Sequence, residues 1–193
     1  MAELTTLVAP EGVAEAREIE ASAEVTRETI ALRKVQGALA KPAVVKSAHA
    51  MSLFGEHAAG WLAIGAVGAL ADRKRRGEWV TAAVGVAAAH AASIAVKRVV
   101  RRPRPKDPEI QVLVGTPSQL SFPSSHATST TAAAVLYGGL TGKKLTPAVV
   151  PPMMVSRLVL GVHYPSDVVA GSALGGAVAL AFRRVIRRRR NRA

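Results

Sequence analysis

Three short segments of the chain carry cations, imidazoles and a carboxylate in an order suited to handling phosphate. They are Lys97-Arg-Val-Val-Arg-Arg-Pro-Arg104-Pro105, Pro123-Ser-Ser-His126, and Ser156-Arg157-Leu-Val-Leu-Gly-Val-His163-Tyr-Pro-Ser-Asp167. A phosphate monoester carries close to two negative charges, and its transfer spreads charge over the equatorial oxygens. Catalysis of that transfer is mainly positioning and neutralisation. Lys97, Arg104 and Arg157 can supply the positive charge, the two arginines as planar forks matched to phosphate oxygens. Arg98, Arg101 and Arg102 are assigned a plainer role, as cations flanking a membrane span.

Pro123-Ser124-Ser125-His126 has the form of a helix start, with serine as cap and free backbone N–H groups facing an anion. The serine hydroxyls could add contacts to phosphate, and His126 could protonate a leaving oxygen. Alone the tetrapeptide is weak, because Pro-Ser-Ser turns are common and a histidine can simply cap. His163 lies four residues before Asp167. A carboxylate holding one imidazole nitrogen leaves the other free to attack phosphorus, with a phosphohistidine as the intermediate. The same pair could instead serve a metal, but no third ligand at metal-like spacing accompanies it and the surroundings are strongly cationic.

These residues must be positioned by apolar elements. Hydrophobic residues make up 49% of the 193, only 4% are aromatic, and there is no cysteine, which excludes disulfides and thiolate chemistry. The net charge of +13 would suit a nucleic-acid binder, but the basic residues cluster at the ends of apolar runs and no stacking aromatics are interleaved with them. A bilayer with anionic head groups is the expected partner, and nucleic acid is not. Five apolar runs, at about 51–71, 79–100, 125–141, 146–162 and 166–182, approach the roughly 20 residues needed to cross a bilayer. Pro151-Pro152 predicts a kink or a shortened helix in the fourth. Gly171-Ser-Ala-Leu-Gly175 predicts close helix packing within the bundle. Residues 101–122 form a polar loop over the site. From about Glu11 to Leu39, Val13, Ile19, Val25, Ile30, Leu32, Val35 and Leu39 recur at loosely helical spacing, which predicts an amphipathic surface helix and not a span.

An up-down bundle of these runs brings Lys97, Arg104, His126, Arg157, His163 and Asp167 to one membrane face. Arg73 to Arg76, Lys143, Lys144 and the seven tail arginines share the other. Counting every Lys and Arg ties the two faces. Three site-face cations belong to the motifs, however, and most of the others lie in the N-terminal segment, far from a span. The basic end is therefore expected in the cytoplasm and the site on the extracytoplasmic face of a bacterial plasma membrane.

The three motifs resemble, in order and internal spacing over Lys97 to about Gly171, those of the type 2 phosphatidic acid phosphatase family, which includes vanadium haloperoxidases. The resemblance implies an all-helical fold, His163 as nucleophile with Asp167 as its partner, and His126 as general acid. It implies phosphate binding by Lys97, Arg104, Ser124, Ser125 and Arg157, with no metal and no cofactor. Ser125 departs from the pattern, which usually has glycine there, and leaves that backbone contact to phosphate in question. Six spans are usual in such members; here the charged N-terminal helix stands in place of the first. The stretches Leu120-Ser-Phe-Pro-Ser-Ser-His-Ala-Thr-Ser-Thr-Thr131 and Phe54-Gly-Glu-His-Ala-Ala-Gly-Trp61 are similar to the actinobacterial decaprenylphosphoryl-5-phosphoribose phosphatases of cell-wall arabinan synthesis.

The expected fold is thus all-α, an integral-membrane helical bundle of about five spans plus the N-terminal amphipathic surface helix. Residues 1–45 form that helix, 46–187 the membrane-embedded phosphatase domain and 188–193 a basic tail. The expected substrate is a polyprenyl-phosphate lipid. The alternatives are a polyprenyl diphosphate, a phosphatidate or a phosphatidylglycerophosphate and, in another class, a basic membrane-anchored scaffold with degenerate motifs. Outside the motifs, Glu56 and His57 begin the first span on the site face as candidate head-group contacts, or as interfacial helix caps. His90 is expected to bond a neighbouring helix as a neutral side chain, and Trp61 and Trp79 to pack or anchor the spans.

Overall fold

Alanine, glycine, serine and threonine make up most of Ser125–Thr141, and small side chains let this one helix sit inside all the others. A computed structural model describes residues 27–191. Its elements are α1 (residues 27–39), α2 (Pro42–Gly55), a tight turn at Glu56–Ala58, α3 (Ala59–Ala71), α4 (Arg76–Val100), α5 (Ser125–Thr141), α6 (Leu145–Val159) and α7 (Pro165–Arg190). The described residues contain no strand, only an isolated bridge between Pro103 and Leu120. The fold is all-α.

α5 is buried on every side, against α3, α4, α6 and α7. Its hydroxyls bond back into the helix, Thr128 to the Ser124 carbonyl at 2.9 Å and Ser129 to that of Ser125 at 3.0 Å, so their burial leaves little unpaired. α7 meets α5 backbone to backbone. A Cβ at Gly171 would lie 2.6 Å from the Ser124 carbonyl oxygen, and one at Gly175 only 2.2 Å from that of Thr128. The glycine pair serves packing inside the bundle, as its spacing predicts. Trp61 donates to Thr130 at 3.0 Å, and Trp79 lies against the Tyr137 ring with centroids 5.5 Å apart. Both tryptophans are core residues.

Among the described residues, three helical stretches are long and apolar enough to cross a membrane: Pro42–Ala71, Arg73–Val100 and Pro165–Arg190. Val67, Leu70, Val84, Val169 and Leu180 point out of them, as a lipid-facing surface requires. α5 and α6 have 17 and 15 residues, so at 1.5 Å per residue they span only about 26 and 23 Å. Three of the expected runs are thus full-length helices, and two are shorter pieces enclosed by them or beside them. α6 passes through Pro151 and Pro152 without a break, although they remove its bonds to the carbonyls of Pro147 and Ala148.

The first run differs most from expectation. It begins at Pro42, and it is broken where His57 and Ala58 take left-handed φ of 50° and 60°. Left-handed backbone costs a non-glycine residue about 1–2 kcal/mol. Glu56 and His57 therefore lie at a break inside a long apolar stretch, not at its start. Most of the expected amphipathic segment lies outside the described residues. What is described, α1, packs on the protein through Thr29, Leu32 and Gln36, while Ile30 and Leu39 of the expected apolar stripe stay exposed. At the other end α7 runs on through residues 188–190, and Arg190 pairs with Glu78 of α4.

Candidate active site

The end of α4, the start of α5, the end of α6 and the start of α7 converge on one face, with residues 101–122 folded across them. The loop is pinned as a narrow hairpin by Ser121 N–H to the Arg102 carbonyl (2.8 Å) and Arg104 N–H to that of Gln119 (3.3 Å). Beneath it lies a cavity of about 610 Å³ whose walls include Lys97, Arg104, Ser125, His126, Arg157 and His163. Six of the eight predicted site residues of the motifs therefore share one chamber. Asp167 stands behind His163, and Ser124 is withdrawn from the cavity.

His163 sits in the turn between α6 and α7, 2% exposed. Its Nδ1 is 3.4 Å from Asp167 Oδ2, and its Nε2 faces Arg104 Nη1, also at 3.4 Å. Accepting from Arg104 at Nε2 places the imidazole hydrogen on Nδ1, on the side of the carboxylate, although Nδ1 makes no hydrogen bond among the described residues. Burial, reinforced by Arg104, Arg157 and Lys97, holds its pKa well below the usual histidine range. The ring is neutral, with a lone pair directed into the cationic chamber. Arg104 itself is lowered to about 10 by burial and stays charged at neutral pH.

Asp167 is fully enclosed. Its Oδ2 accepts the Tyr164 N–H at 2.8 Å and its Oδ1 accepts from Arg102 Nη1 at 3.0 Å. Proline at the start of α7 and this carboxylate in its first turn close the helix N-terminus as a capping box. Arg102, which nothing in its motif separates from its neighbours, is thus attached to the carboxylate behind His163.

The three motif cations are not equivalent. Arg157, 2% exposed, gives Nη1 to the Ser52 hydroxyl at 2.7 Å, and its Nε has no partner among the described residues. A buried guanidinium N–H without a partner is costly, and an anion in the chamber would satisfy it. Arg104 gives Nε to the Ser118 carbonyl and Nη1 to that of Val162, which fixes its fork beside His163. Lys97 spends its hydrogens on the carbonyls of Leu120, Ser121 and Pro123, at 3.2, 3.1 and 2.9 Å. It contributes charge to the chamber while clamping the loop that leads into α5.

The serines also divide. Ser124 caps α5 by accepting from Ala127 N–H at 3.4 Å, and its own N–H goes to the Asp167 carbonyl at 2.9 Å. It locks α5 to α7 and does not line the chamber. Ser125 does line the chamber, paired with the Ser93 hydroxyl at 2.8 Å. His126 places Nε2 3.0 Å from the Ser52 carbonyl, which leaves Nδ1 as the nitrogen without a protein partner. Ser52 therefore holds both His126 and Arg157 from α2, and Gly55 makes room: a Cβ there would lie 2.7 Å from His126 Cδ2. Neither residue belongs to the three motifs; Gly55 lies in the Phe54–Trp61 stretch that carries the narrower resemblance, and Ser52 stands two residues before it.

Glu56, His57 and His90 line a further part of the same cavity. His57 and His90 have ring centroids 6.3 Å apart, and His90 Nδ1 is buried with no partner among the described residues. His90 thus faces the cavity and does not make the inter-helix bond expected of it.

A model of the PAP2 superfamily matches residues 78–191. The decaprenylphosphoryl-5-phosphoribose phosphatase of Mycolicibacterium smegmatis is 58% identical over 145 residues, covering 75% of this chain and 81% of that protein. The protein of the same description from Mycobacterium tuberculosis is 55% identical over 145 residues, covering 75% and 82%. Among solved structures, that of a transmembrane PAP2-type phosphatidylglycerolphosphate phosphatase from Bacillus subtilis superposes with a TM-score of 0.66 at 19% identity, covering 83% of this chain and 86% of that one. At that identity the superposition speaks for the fold alone.

Proposed function

The chain belongs to the PAP2 superfamily, and from that premise we propose that it is a membrane phosphatase acting on a polyprenyl-linked phosphate through a phosphohistidine, without metal. The substrate proposed is decaprenylphosphoryl-5-phosphoribose, with decaprenylphosphoryl ribose and inorganic phosphate as products. The named relatives support that choice, since 55–58% identity extends over three quarters of the chain.

The observation that carries the reaction is His163: a neutral ring backed by Asp167, with Nε2 turned toward Arg104 in a chamber shared with Arg157. Nε2 attacks phosphorus, and the bond from phosphorus to the sugar oxygen breaks. His126, its Nε2–H on the Ser52 carbonyl, takes up a proton at Nδ1 as the substrate anion enters and gives that proton to the oxygen. A water then loses a proton to His126 and attacks phosphorus, the N–P bond breaks, and phosphate leaves with His163 neutral again. Arg104 and Arg157 hold the phosphoryl oxygens, Lys97 adds charge, and Ser125 is the serine placed to reach them. Ser124 acts through the α5 cap. Glu56 and His57 are assigned to the sugar, the carboxylate accepting from a hydroxyl, and His90 adds a third polar group to that part of the cavity. The catalytic unit is assigned to residues 46–187, between the segments 1–45 and 188–193, with its site on the extracytoplasmic face.

Phosphate release by detergent-solubilised protein in EDTA tests this reading. Polyprenylphosphoryl-phosphoribose, polyprenyl diphosphate and phosphatidate are compared, with His163→Ala as control. Preferred release from the phosphoribose lipid, abolished in His163→Ala, is expected. Preference for another lipid would move the substrate assignment, and EDTA-sensitive or His163-independent release would overturn the mechanism.

A further inference from the structure

Asp167 has a second partner besides the imidazole, and that partner is held by a helix outside the segment that the family model matches. Arg102 Nη1 reaches Asp167 Oδ1 at 3.0 Å and Ser166 Oγ at 2.7 Å. Its guanidinium lies 4.2 Å over the Tyr164 ring, and its Nη2 pairs with Glu28 of α1. The other Glu28 oxygen accepts the Ser166 N–H at 3.0 Å. One arginine is thus fixed on three sides at the start of α7.

α1 is fastened along its length to the segments that flank the nucleophile. Gln36 donates to the carbonyls of Gln111 and Val159, at 2.7 and 3.0 Å, and accepts the Gln111 N–H at 3.1 Å. Arg33 pairs with Asp107 and Glu109 of the loop. The side chains of Arg102 and Glu28 are 21% and 16% exposed, and that of Asp167 is closed off entirely.

A carboxylate tied at one oxygen can still turn about its last torsion. With the Tyr164 N–H on Oδ2 and Arg102 on Oδ1, the plane of Asp167 is locked so that Oδ2 faces His163 Nδ1. The charge balance follows the same path. Arg102 alone would draw Asp167 away from the imidazole N–H, and Glu28 takes up part of that positive charge. We propose that Arg102 is a positioning residue for the His163–Asp167 pair, and that Glu28 makes α1 part of the active site by holding Arg102. The inference rests on His163 being the nucleophile.

The groups that face His163 set the sign of a pH test: Lys97 from α4, His126 from α5, Arg157 from α6, Asp167 from α7 and Arg104 from the loop. None of these side chains is itself substituted in the Arg102 and Glu28 variants. Removing Arg102 takes away a cation and leaves the Asp167 carboxylate less neutralised, so His163 becomes easier to protonate. Removing the charge of Glu28 makes the surroundings more positive, so His163 becomes harder to protonate.

The test measures kcat, KM and the pH dependence of kcat/KM on the phosphoribose lipid for Arg102→Leu, Arg102→Lys, Glu28→Gln and the double Arg102→Leu, Glu28→Gln variant, beside His163→Ala. Arg102→Leu should lower kcat by about ten- to a hundred-fold with KM changed less than about two-fold, and Arg102→Lys should recover part of the loss. The acid limb should move to higher pH in Arg102→Leu and to lower pH in Glu28→Gln, a divergence that a general loss of folding does not produce. Glu28→Gln should have no further effect once Arg102 is leucine. A kcat for Arg102→Leu within about two-fold of the parent would overturn the proposal, as would equal Glu28→Gln effects in both backgrounds. If Arg102→Leu does not fold, Arg102→Lys and Glu28→Gln decide it, and acid limbs moving the same way in both would sink it. An inactive His163→Ala beside a fully active Arg102→Leu removes only the positioning role, whereas an active His163→Ala removes the nucleophile itself.

Discussion

A closed imidazole among fixed cations can act as a nucleophile only because it stays unprotonated. Burial, then Arg104, Arg157 and Lys97, lower the pKa of His163, and a backbone contact at Ser121 opposes them only weakly. An ordinary histidine loses its lone pair to a proton near pH 6.5. Here the lowered value keeps the ring neutral below that point, so the acid limb of kcat/KM due to this group should lie below about pH 6.5. The phosphate monoester ionises near pH 6 itself, so the informative comparison is with Arg104→Gln. Loss of that cation should carry the limb upward while the substrate's own ionisation stays fixed. An unmoved limb in Arg104→Gln would show that His163 does not set it. The residues of this pair were legible in the sequence because a histidine, with a carboxylate four residues on, stands between two apolar runs in one short segment with Arg157. The role of Arg102 was not: its partners lie 65 and 74 residues away. Nothing within Lys97–Pro105 separates it from Arg101, which merely ends α4 with φ of 54°.

Positioning of these side chains depends on how closely the helices that carry them approach. α5 and α7 bear His126 and Asp167, and Ser124 N–H bonds the Asp167 carbonyl across their contact. Gly175 and Gly176 are adjacent in α7, yet a Cβ at the first would lie 2.2 Å from the Thr128 carbonyl oxygen and one at the second 4.0 Å from the nearest atom, a methyl of Thr131. Gly175→Ala should therefore push α7 off α5 and lower stability by about 1–3 kcal/mol, and it should reduce activity with it. Gly176→Ala should be neutral or slightly stabilising, because alanine favours the helix. Thermal unfolding of the two variants in detergent checks this, and equal midpoints would show that the contact is looser than the geometry states. The glycine spacing announced this contact, as the apolar runs announced the helices. The break at Glu56–Ala58 was illegible, since no proline stands there and the strain falls on a histidine and an alanine. The prolines at 151 and 152, by contrast, suggested a kink or a shortened helix, and α6 is the shorter of the two short helices, running unbroken through both.

Across the whole molecule, charge and chemistry lie at opposite ends of the bundle. Arg75 donates to the Leu140 carbonyl at 2.7 Å, Arg189 to Thr81 at 3.3 Å, and Arg190 to Glu78 at 3.0 Å. The start of α4, the end of α5 and the end of α7 thus form one basic face, while the cavity opens at the far ends of the same helices. Anionic lipid heads and the translocation rule both favour the basic face in the cytoplasm, at about 1 kcal/mol per exposed Lys or Arg near the surface. α1 crosses to the other side in this arrangement, because Glu28, Arg33 and Gln36 all bond segments around the cavity. The two termini of the described chain, residues 27 and 191, must therefore lie on opposite sides of the bilayer. A tag placed after Arg192 should be protected from protease in intact cells and cleaved only after lysis, while a cysteine at Arg27 should react with a membrane-impermeant reagent. The opposite pair of results would turn the site inward. Both positions reporting the same side would make the number of crossings even, so that either α5 and α6 together contribute one or one of the helices at 42–71, 73–100 and 165–190 does not cross.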